Sequence, residues 1–383
     1  MKKNLFMTAA AIAALLTGCS TDEEIANIET SAKNAIGFNI VSNGAETKAT
    51  IYGPSSKDFD FDVFAFDGSG NYFMGKEGDH GYSQKEDDTF THDGVQITCN
   101  NQKWEYKNPT ELAYWPTNSL DFYAVSPTNF EVASYYFQHY SWSIKPNEQT
   151  ITYRTTDEFR NSLKDLDVMY AVAKGQTKDT KQGVVQLSFK HILSQVLFNA
   201  KVKYESMKVT IREMNIYNFA VGGTFTFPTT DGEPTLANWK STRLYMVHIV
   251  KNGNTGPVEV IPAEKPVDIT DKNNPMLFIP QTLTAWDTSK SKEDANKKEN
   301  GFQSYLEVSC KIEQNGATVH DGKLYIPFGA EWQPGKRYTY TLIFGGGYDD
   351  QGKPILTPIT FEPTVEPWVG ASGYTKQIPA YTN

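Results

Sequence analysis

The stretch "VVQLSFKHILSQVLFNAKVKY", residues 184–204, changes the phase of its apolar alternation part-way along. Apolar side chains occupy the odd positions 185, 187 and 189, and then the even positions from 196 to 204. Because successive side chains of a strand point to opposite faces of a sheet, one straight strand cannot bury both sets. The sequence therefore predicts a bulge or break between His191 and Ser194.

Short alternating runs continue on both sides of this stretch and are bounded by Gly, Pro, Asn and Asp. Examples are "FDFDVFAFDGSGN" (59–71), "LDVMYAVA" (166–173) and "RYTYTLIF" (337–344). Amphipathic helical patterns are nearly absent. Many short strands with turn residues between them are typical of β-sandwiches, so the sequence predicts an all-β fold.

The chain has 383 residues, which is long for a single hydrophobic core and favours two domains. The least structured gap between strand clusters is "KGQTKDTKQG", residues 174–183. We therefore expect an N-terminal β-sandwich over residues 35–180. A C-terminal β-sandwich, with a C-terminal strand and tail, is expected over residues 181–383.

The first residues have the features of a bacterial lipoprotein signal. "MKK" is positively charged, residues 4–16 are apolar but too few to span a bilayer, and "LTGC" at 16–19 ends in Cys19. We expect residues 1–18 to be removed as a signal peptide and Cys19 to carry lipid. Residues 19–34 are polar and acidic, which is typical of a tether.

The charge balance argues against a nucleic-acid partner. Removing residues 1–18 takes Lys2 and Lys3 from the 36 basic residues and leaves 34 against 45 acidic ones, a net charge of −11. Two cysteines, Cys99 and Cys310, remain, each on the apolar side of an alternating run. They are expected to be buried thiols rather than a disulfide.

A search for catalytic patterns finds little. The six histidines are scattered, and the chain contains neither an HExxH nor a GxSxG motif. Carboxylates are plentiful, so a glycosidase pair is not excluded by sequence, but nothing favours one. The sequence predicts a non-enzymatic protein with no cofactor and no metal site.

The first alternating run and the loop behind it form one candidate site. Ile36, Phe38 and Ile40 share one face of a predicted strand, and the loop "GAETKATIYG" (44–53) follows. Lys48 is flanked there by small and hydroxyl residues. This segment is either an ordinary loop or a place where a protease cuts between Lys48 and Ala49.

A second candidate site is an aromatic cluster. Tyr135 and Tyr136 lie close in sequence to Trp142. Such rings can stack on sugars, although half of any sandwich strand faces the core. The cluster is therefore either a glycan-stacking platform or part of the core.

Several motifs occur in an order that resembles the fimbrillin family, the type V pilins and fimbrillin-like lipoproteins of gut and oral anaerobes. Besides the lipobox, they are "TKA" (47–49), "AYWP" (113–116), "FYAVSP" (122–127), "DLDVMYA" (165–171), "LSFKHILSQVLF" (187–198) and "ITFEPTVEPW" (359–368). The resemblance covers almost the whole mature chain. It implies two transthyretin-like β-sandwich domains in tandem, delivered to the outer membrane as a lipoprotein.

In polymerising members of this family a trypsin-like protease cuts after the first strand, which leaves with the lipid. A C-terminal strand of another subunit then fills the groove. The resemblance transfers the cut to Lys48–Ala49 and the expelled strand to Ile36, Phe38 and Ile40. The candidate donor or closing strand has its apolar side chains on one parity, at Ile355, Ile359, Phe361 and Val365.

Two departures from the family pattern leave alternatives open. Polymerising members are typically cut after arginine, whereas this chain has Lys48. About fifteen residues also follow the last alternating strand, which leaves the donor segment open. Prolines at 354, 358, 363 and 367 confine this segment to an edge or a partly irregular strand, because proline donates no ladder hydrogen bond.

The leading hypothesis is a structural or adhesive subunit of a surface fimbria, as stalk, anchor or tip, assembled by strand exchange. Its partners would be other fimbrial subunits, the outer membrane through lipid on Cys19, and a surface ligand. The alternative is a lipid-anchored glycan-binding protein that does not polymerise.

Overall fold

The computed structural model describes residues 34–41, 60–78, 93–100, 103–126, 128, 140–154, 167–245, 248–249, 256–270, 276–345, 347–348, 354–355 and 360–367. These residues are mostly in β-strands, which confirms the all-β prediction. The helices in this part of the chain are single turns: α1 (Lys292–Ala295) and four 3₁₀ turns, Pro109–Glu111, Thr180–Gly183, Leu236–Asn238 and Lys298–Asn300.

The strands of the first half are β1 (Gly37–Ile40), β2 (Asp60–Phe66), β3 (Tyr72–Met74), β4 (Val95–Asn100), β5 (Lys103–Tyr106), β6 (Leu120–Ser126), β7 (Tyr140–Lys145), β8 (Glu148–Arg154), β9 (Met169–Gln176), β10 (Val184–Leu187), β11 (Lys190–His191), β12 (Ser194–Val202) and β13 (Met207–Tyr217).

The strands of the second half are β14 (Phe219–Thr226), β15 (Trp239–Tyr245), β16 (His248–Ile249), β17 (Val258–Val260), β18 (Val267–Asp268), β19 (Met276–Phe278), β20 (Gln281–Leu283), β21 (Tyr305–Gln314), β22 (Ala317–Pro327), β23 (Ala330–Trp332), β24 (Lys336–Phe344), β25 (Gly347–Tyr348), β26 (Pro354–Ile355) and β27 (Thr360–Pro367).

The phase change in residues 184–204 is a real break, as the sequence predicted. The stretch forms three strands, β10, β11 and β12, and each belongs to a different sheet. Ile192 and Leu193 lie between the last two strands and are fully buried. Their backbone groups are paired outside the ladders, because Ile192 N–H donates to Val168 O (3.1 Å) and Leu193 O accepts from Gly335 N–H (2.9 Å).

A seven-stranded sheet is covered on both faces. Its strand order is β11-β9-β6-β2-β4-β5, and β3 pairs with β2. Every residue of the central strand β2 is buried. Phe61, Val63 and Ala65 pack on one side with β1 and β10, whereas Phe64 and Phe66 pack on the other side against the four-stranded sheet β15-β14-β8-β7.

The remaining large sheets enclose a separate core. One has the order β18-β12-β24-β27 with β19 on β12, and the other has the order β16-β13-β21-β22 with β17 on β13. Their facing side chains include Phe198 and Val308, and Trp332 of the small sheet β20-β23 also packs into this core. Cys310 is buried there, burial raises the pKa of its thiol to about 12, and no disulfide joins it to Cys99.

The strand pairings cross the domain boundary that the sequence suggested at 180/181. Strand β10 pairs with β1, and β14 pairs with β8, with Thr224 opposite Thr152. The ring of Phe225 also lies 5.0 Å from that of Tyr170. Residues 184–191 and 219–239 thus share sheets and a core with residues before 180. The division into two transthyretin-like domains, and its exact boundary, stays a prediction.

Asn218 connects the two packed regions, because it lies between β13 and β14. Its φ of 61° is in the left-handed region, which Asn tolerates better than most residues. The buried side-chain amide lies within hydrogen-bond distance of three oxygens, Ala295 O (3.2 Å), Asn296 Oδ1 (2.8 Å) and Gln303 O (2.8 Å). The chain therefore turns from one sandwich into the other at a residue that the loop around α1 holds in place.

We predict that Asn218→Ala lowers the free energy of unfolding by roughly 2–4 kcal/mol, since it combines left-handed strain with lost hydrogen bonds. Asn218→Gly is the matched control, because it removes the same hydrogen bonds without the strain, and its loss is expected to be smaller. Urea unfolding measures both. Equal losses in the two variants would contradict a role for the backbone conformation.

Candidate functional site

The candidate site is the groove that holds β1. Strand β1 runs parallel to β10 in a continuous register from Gly37 opposite Val184 to Ile40 opposite Leu187. A Cβ added at Gly37 would lie 3.3 Å from Val184 Cγ2, so glycine permits this close approach. The predicted first strand is thus present, and it pairs with a strand far away in sequence.

The apolar side chains of this segment enter the core as the alternation predicted. Ile36 and Phe38 are 0% exposed, and Ile40 is partly buried. The Phe38 ring makes edge contacts with Phe61 (6.2 Å), Tyr106 (6.0 Å) and Phe122 (6.0 Å). Edge-to-face geometry between three different strands fixes the ring in one position.

The backbone of Ile36 is held on the side away from β10. Its N–H donates to Ala113 O (2.9 Å), and its O accepts from the hydroxyl of Tyr106 (3.0 Å). Burial raises the pKa of Tyr106 well above its usual range, so the phenol stays protonated and can donate. Next to this pair, Trp115 N–H donates to Asn34 O (2.9 Å).

The sequence reasoning did not find Tyr106 or the 113–115 segment as part of this site. The motif "AYWP" was the available signal, and the structure explains three of its residues. Ala113 bonds Ile36, Tyr114 forms a bridge with Ala35, and Trp115 Nε1 donates to Gly183 O (3.0 Å) just before β10. The motif thus ties both strands of the β1–β10 pair to the rest of the domain.

Burial gives the main free energy of β1 docking. Fully burying Ile36 and Phe38 at ~1.5–3 kcal/mol each contributes roughly 3–6 kcal/mol. A whole domain is stable by only about 5–15 kcal/mol. Loss of β1 without a replacement would therefore remove a large part of the stability of this region.

The proposed cleavage and lipidation residues are not in the part that the structure describes. Cys19, Lys48 and Ala49 all lie outside the described residues, as do the 1–18 signal and most of the 19–34 tether. The structure describes β1 and β2, on either side of the loop that carries Lys48.

Strand β27 is the C-terminal part of the candidate donor segment, and it lies at the edge of its sheet in the described part of the chain, as its prolines predicted. Strand β27 pairs antiparallel with β24, from Lys336 opposite Pro367 to Ile343 opposite Thr360. Val365 is 59% exposed. Ile355 lies in the short strand β26, Phe361 lies in β27, and Ile359 falls outside the described residues.

The proposed glycan platform at Trp142 is wrong. Trp142 is only 2% exposed and packs between the seven-stranded and four-stranded sheets. Its ring is on the covered face of β7, which is the alternative that the sequence left open for this cluster. Tyr135 and Tyr136 lie outside the described residues.

Within the described ranges, no group of three or more His, Cys, Asp or Glu side chains is arranged to hold a metal ion. The helices found there are also too short and polar to span a membrane.

We predict that Phe38→Ala destabilises the uncut chain by roughly 3–5 kcal/mol, because it leaves a cavity between three aromatic rings. Ile40→Ala is the control on the same strand face, and its loss should be smaller since Ile40 is only partly buried. Chemical unfolding compares the two. A loss at Ile40 as large as that at Phe38 would contradict the packing.

We predict that Tyr106→Phe lowers stability by about 0.5–1.5 kcal/mol, because the ring contact with Phe38 remains while the hydrogen bond to Ile36 O is lost. Hydrogen exchange at Ile36 and Phe38 amides should accelerate, since the strand opens more often. Unchanged exchange would indicate that the phenol does not hold β1.

No curated protein matches the chain. A fimbrial protein from Bacteroides vulgatus shares the fold, with a TM-score of 0.58, 16% identity, and coverage of 88% of this chain and 99% of that one.

Two Porphyromonas gingivalis proteins are more distant. The tip fimbrial protein Mfa3 has a TM-score of 0.36 and 10% identity over 82% of this chain and 97% of that one. The fimbrial anchor protein Mfa2 has a TM-score of 0.33 and 8% identity over 86% and 98%.

The model of the family described as Fimbrillin-like matches residues 47–368. This family is structural and adhesive rather than enzymatic, in agreement with the prediction from the sequence. Since the match spans most of the 383 residues, the chain belongs to the Fimbrillin-like family.

Proposed function

We propose that this protein is a structural or adhesive subunit of a surface fimbria and assembles by exchange of its first strand. The observation that carries the proposal is the position of β1 relative to the family match. The match begins at residue 47, whereas the core of the fold also contains Ile36 and Phe38. The matched segment thus begins one residue before Lys48, and β1 lies outside it.

Cleavage between Lys48 and Ala49 would leave β1 held by noncovalent contacts alone. These are the β1–β10 ladder, the Phe38 contacts and the hydrogen bonds of Ile36. A binding free energy of −4.1 kcal/mol corresponds to a Kd of about 1 mM. A segment held by roughly 3–6 kcal/mol is therefore replaceable by a longer strand that makes the same contacts and adds others.

The replacing strand would come from the C-terminal segment of another subunit. Strand β27 occupies an edge position, so it can detach without separating two inner strands. Ile355, Ile359, Phe361 and Val365 share one parity and would supply the apolar side chains that refill the groove. The partners of the protein are then other fimbrial subunits.

Before assembly, the chain would be held at the cell surface. Lipid on Cys19 would anchor it in the outer membrane, and Asp22, Glu23 and Glu24 directly after Cys19 resemble a surface-export signal. A subunit that keeps its lipid would act as an anchor, whereas a processed one would enter the fimbria.

We predict that the protein isolated from its native cell surface begins at Ala49 and carries no lipid. Intact mass and N-terminal sequencing measure this directly. Lys48→Ala should leave a lipidated chain that starts at Cys19 and does not enter polymers, whereas Lys57→Ala, in the same connecting segment, should be processed normally. Wild-type chains that start at Cys19 within assembled fimbriae would overturn exchange after cleavage.

A further inference from the structure

An aromatic cluster lies on the outer face of the sheet β16-β13-β21-β22. Inward side chains of this sheet, such as Ile216 and Leu306, belong to the core. Their neighbours Tyr217 and Tyr305 therefore face outward, and they stand directly opposite each other on β13 and β21. This cluster, the tyrosine patch, consists of Tyr217, Tyr305, Tyr325 and Trp286.

The rings of the tyrosine patch touch one another in a continuous series. Tyr217 stacks on Tyr305, with centroids 4.7 Å apart and planes inclined by 11°. Trp286 and Tyr325 approach Tyr305 by their edges, at 5.9 Å and 6.2 Å. Tyr305 is buried by these neighbours, whereas Tyr217, Trp286 and Tyr325 keep part of their surface in solvent.

Polar groups lie beside the rings in the same register. Asn215, Glu307 and Tyr325 are cross-strand neighbours on three successive strands. Glu307 is buried and accepts a hydrogen bond from Lys323 Nζ (2.8 Å). Lys292 Nζ lies 4.0 Å from the centroid of the Tyr325 ring.

Asn215 is the unusual member of this row. It is only 4% exposed, and its Nδ2 donates to Glu213 Oε1 (2.8 Å). Its Oδ1 is buried but accepts no hydrogen bond from any residue in the described ranges. A buried acceptor without a donor costs free energy, so a ligand hydroxyl at this position would be favourable.

The charges of this face are balanced. Lys323 pairs with Glu307, Lys311 pairs with Glu313 (2.7 Å), and Arg212 pairs with Asp321 (2.6 Å). Lys292 beside Tyr325 and Glu213 beside Asn215 add one further charge of each sign, so these charges cancel and the face offers little attraction to a charged peptide or an anionic surface. A neutral ligand with donors, acceptors and apolar faces fits this chemistry best.

We propose that the tyrosine patch binds a neutral carbohydrate, whose ring faces pack on Tyr217 and Tyr325 and whose hydroxyls reach Asn215 and the Glu307–Lys323 pair. Sugars combine apolar ring faces with hydroxyls that both donate and accept, which matches half-buried aromatic rings beside an unused acceptor. The site shares no residue with the β1 groove. It would give the subunit an adhesive ligand whether or not strand exchange occurs.

The test uses the full chain on an array of neutral hexose and N-acetylhexosamine oligosaccharides, with sialylated and sulfated forms for comparison. We expect retention on at least one neutral oligosaccharide. Tyr217→Ala and Tyr325→Ala should each weaken binding roughly tenfold in a titration with that oligosaccharide. Tyr204→Ala is the matched control, because Tyr204 is also exposed and carries Lys203 over its ring (5.5 Å), but it lies outside the patch.

Each other outcome would overturn the proposal. These outcomes are no retention of the protein on any glycan, retention on charged glycans alone, or a loss of affinity in Tyr204→Ala as large as that in the patch variants. A change of oligomeric state in Tyr217→Ala would instead assign the patch to contact between copies. Melting temperatures monitor folding, and if Tyr217→Ala unfolds, Tyr325→Ala on the edge strand β22 decides. A negative result in the glycan experiment would not bear on cleavage at Lys48, because the N-terminal sequencing experiment depends on different residues.

Discussion

The parallel pairing of β1 with β10 is the interaction on which the N-terminal half of this protein depends. These two strands form a sheet of their own in the described part of the chain, so neither has another ladder partner there. They cover one face of the seven-stranded sheet with Ile36, Phe38, Val185 and Leu187. Removing β1 would leave β10 as an unpaired strand over an open core, so the exchange proposed above would require an incoming strand at once.

This dependence follows from how the central sheet is built. Strand β2 is buried on both faces, so a second layer is required on each side. The four-stranded sheet covers one face with strands that come from both before and after residue 180. In the part of the chain that the structure describes, the other face is completed by two short strands, and one of them, β1, comes before the candidate cleavage site in the sequence.

Much of the local structure could be predicted from the sequence, because strand periodicity is a local signal. The break after His191, the burial of Phe38 and the edge position of residues 360–367 all followed from alternation or from proline. The burial of Trp142 did not, since alternation shows that two faces exist but not which one another sheet will cover. Contacts between residues far apart in the sequence were also missed, because alternation carries no information about which strands become neighbours.

The contacts around Ile36 illustrate what local patterns omit. Tyr106 lies 70 residues after Ile36 in the sequence, and Ala113 lies further on. Only the folded chain brings their hydrogen-bonding groups to the backbone of Ile36. The same holds for the tyrosine patch, whose four rings come from β13, β21, β22 and the loop before α1. A sequence scan finds clusters of adjacent aromatics such as Tyr135 and Tyr136, but not clusters built across strands.

The two candidate sites use different cores, and this separation has a functional consequence. The β1 groove opens the core around Phe61 and Phe122, whereas the tyrosine patch rests on the sheet over the core around Val308 and Trp332. Apolar contacts act over a few ångströms, so emptying and refilling the groove need not alter the sheet that carries the patch. The junction at Asn218 joins the two through hydrogen bonds to the loop around α1, the same loop that supplies Trp286 to the patch. The chain provides a second connection, because β10, the partner of β1, continues through the buried Ile192 and Leu193 into β12. Any coupling between assembly and ligand binding would use this link or the loop around α1.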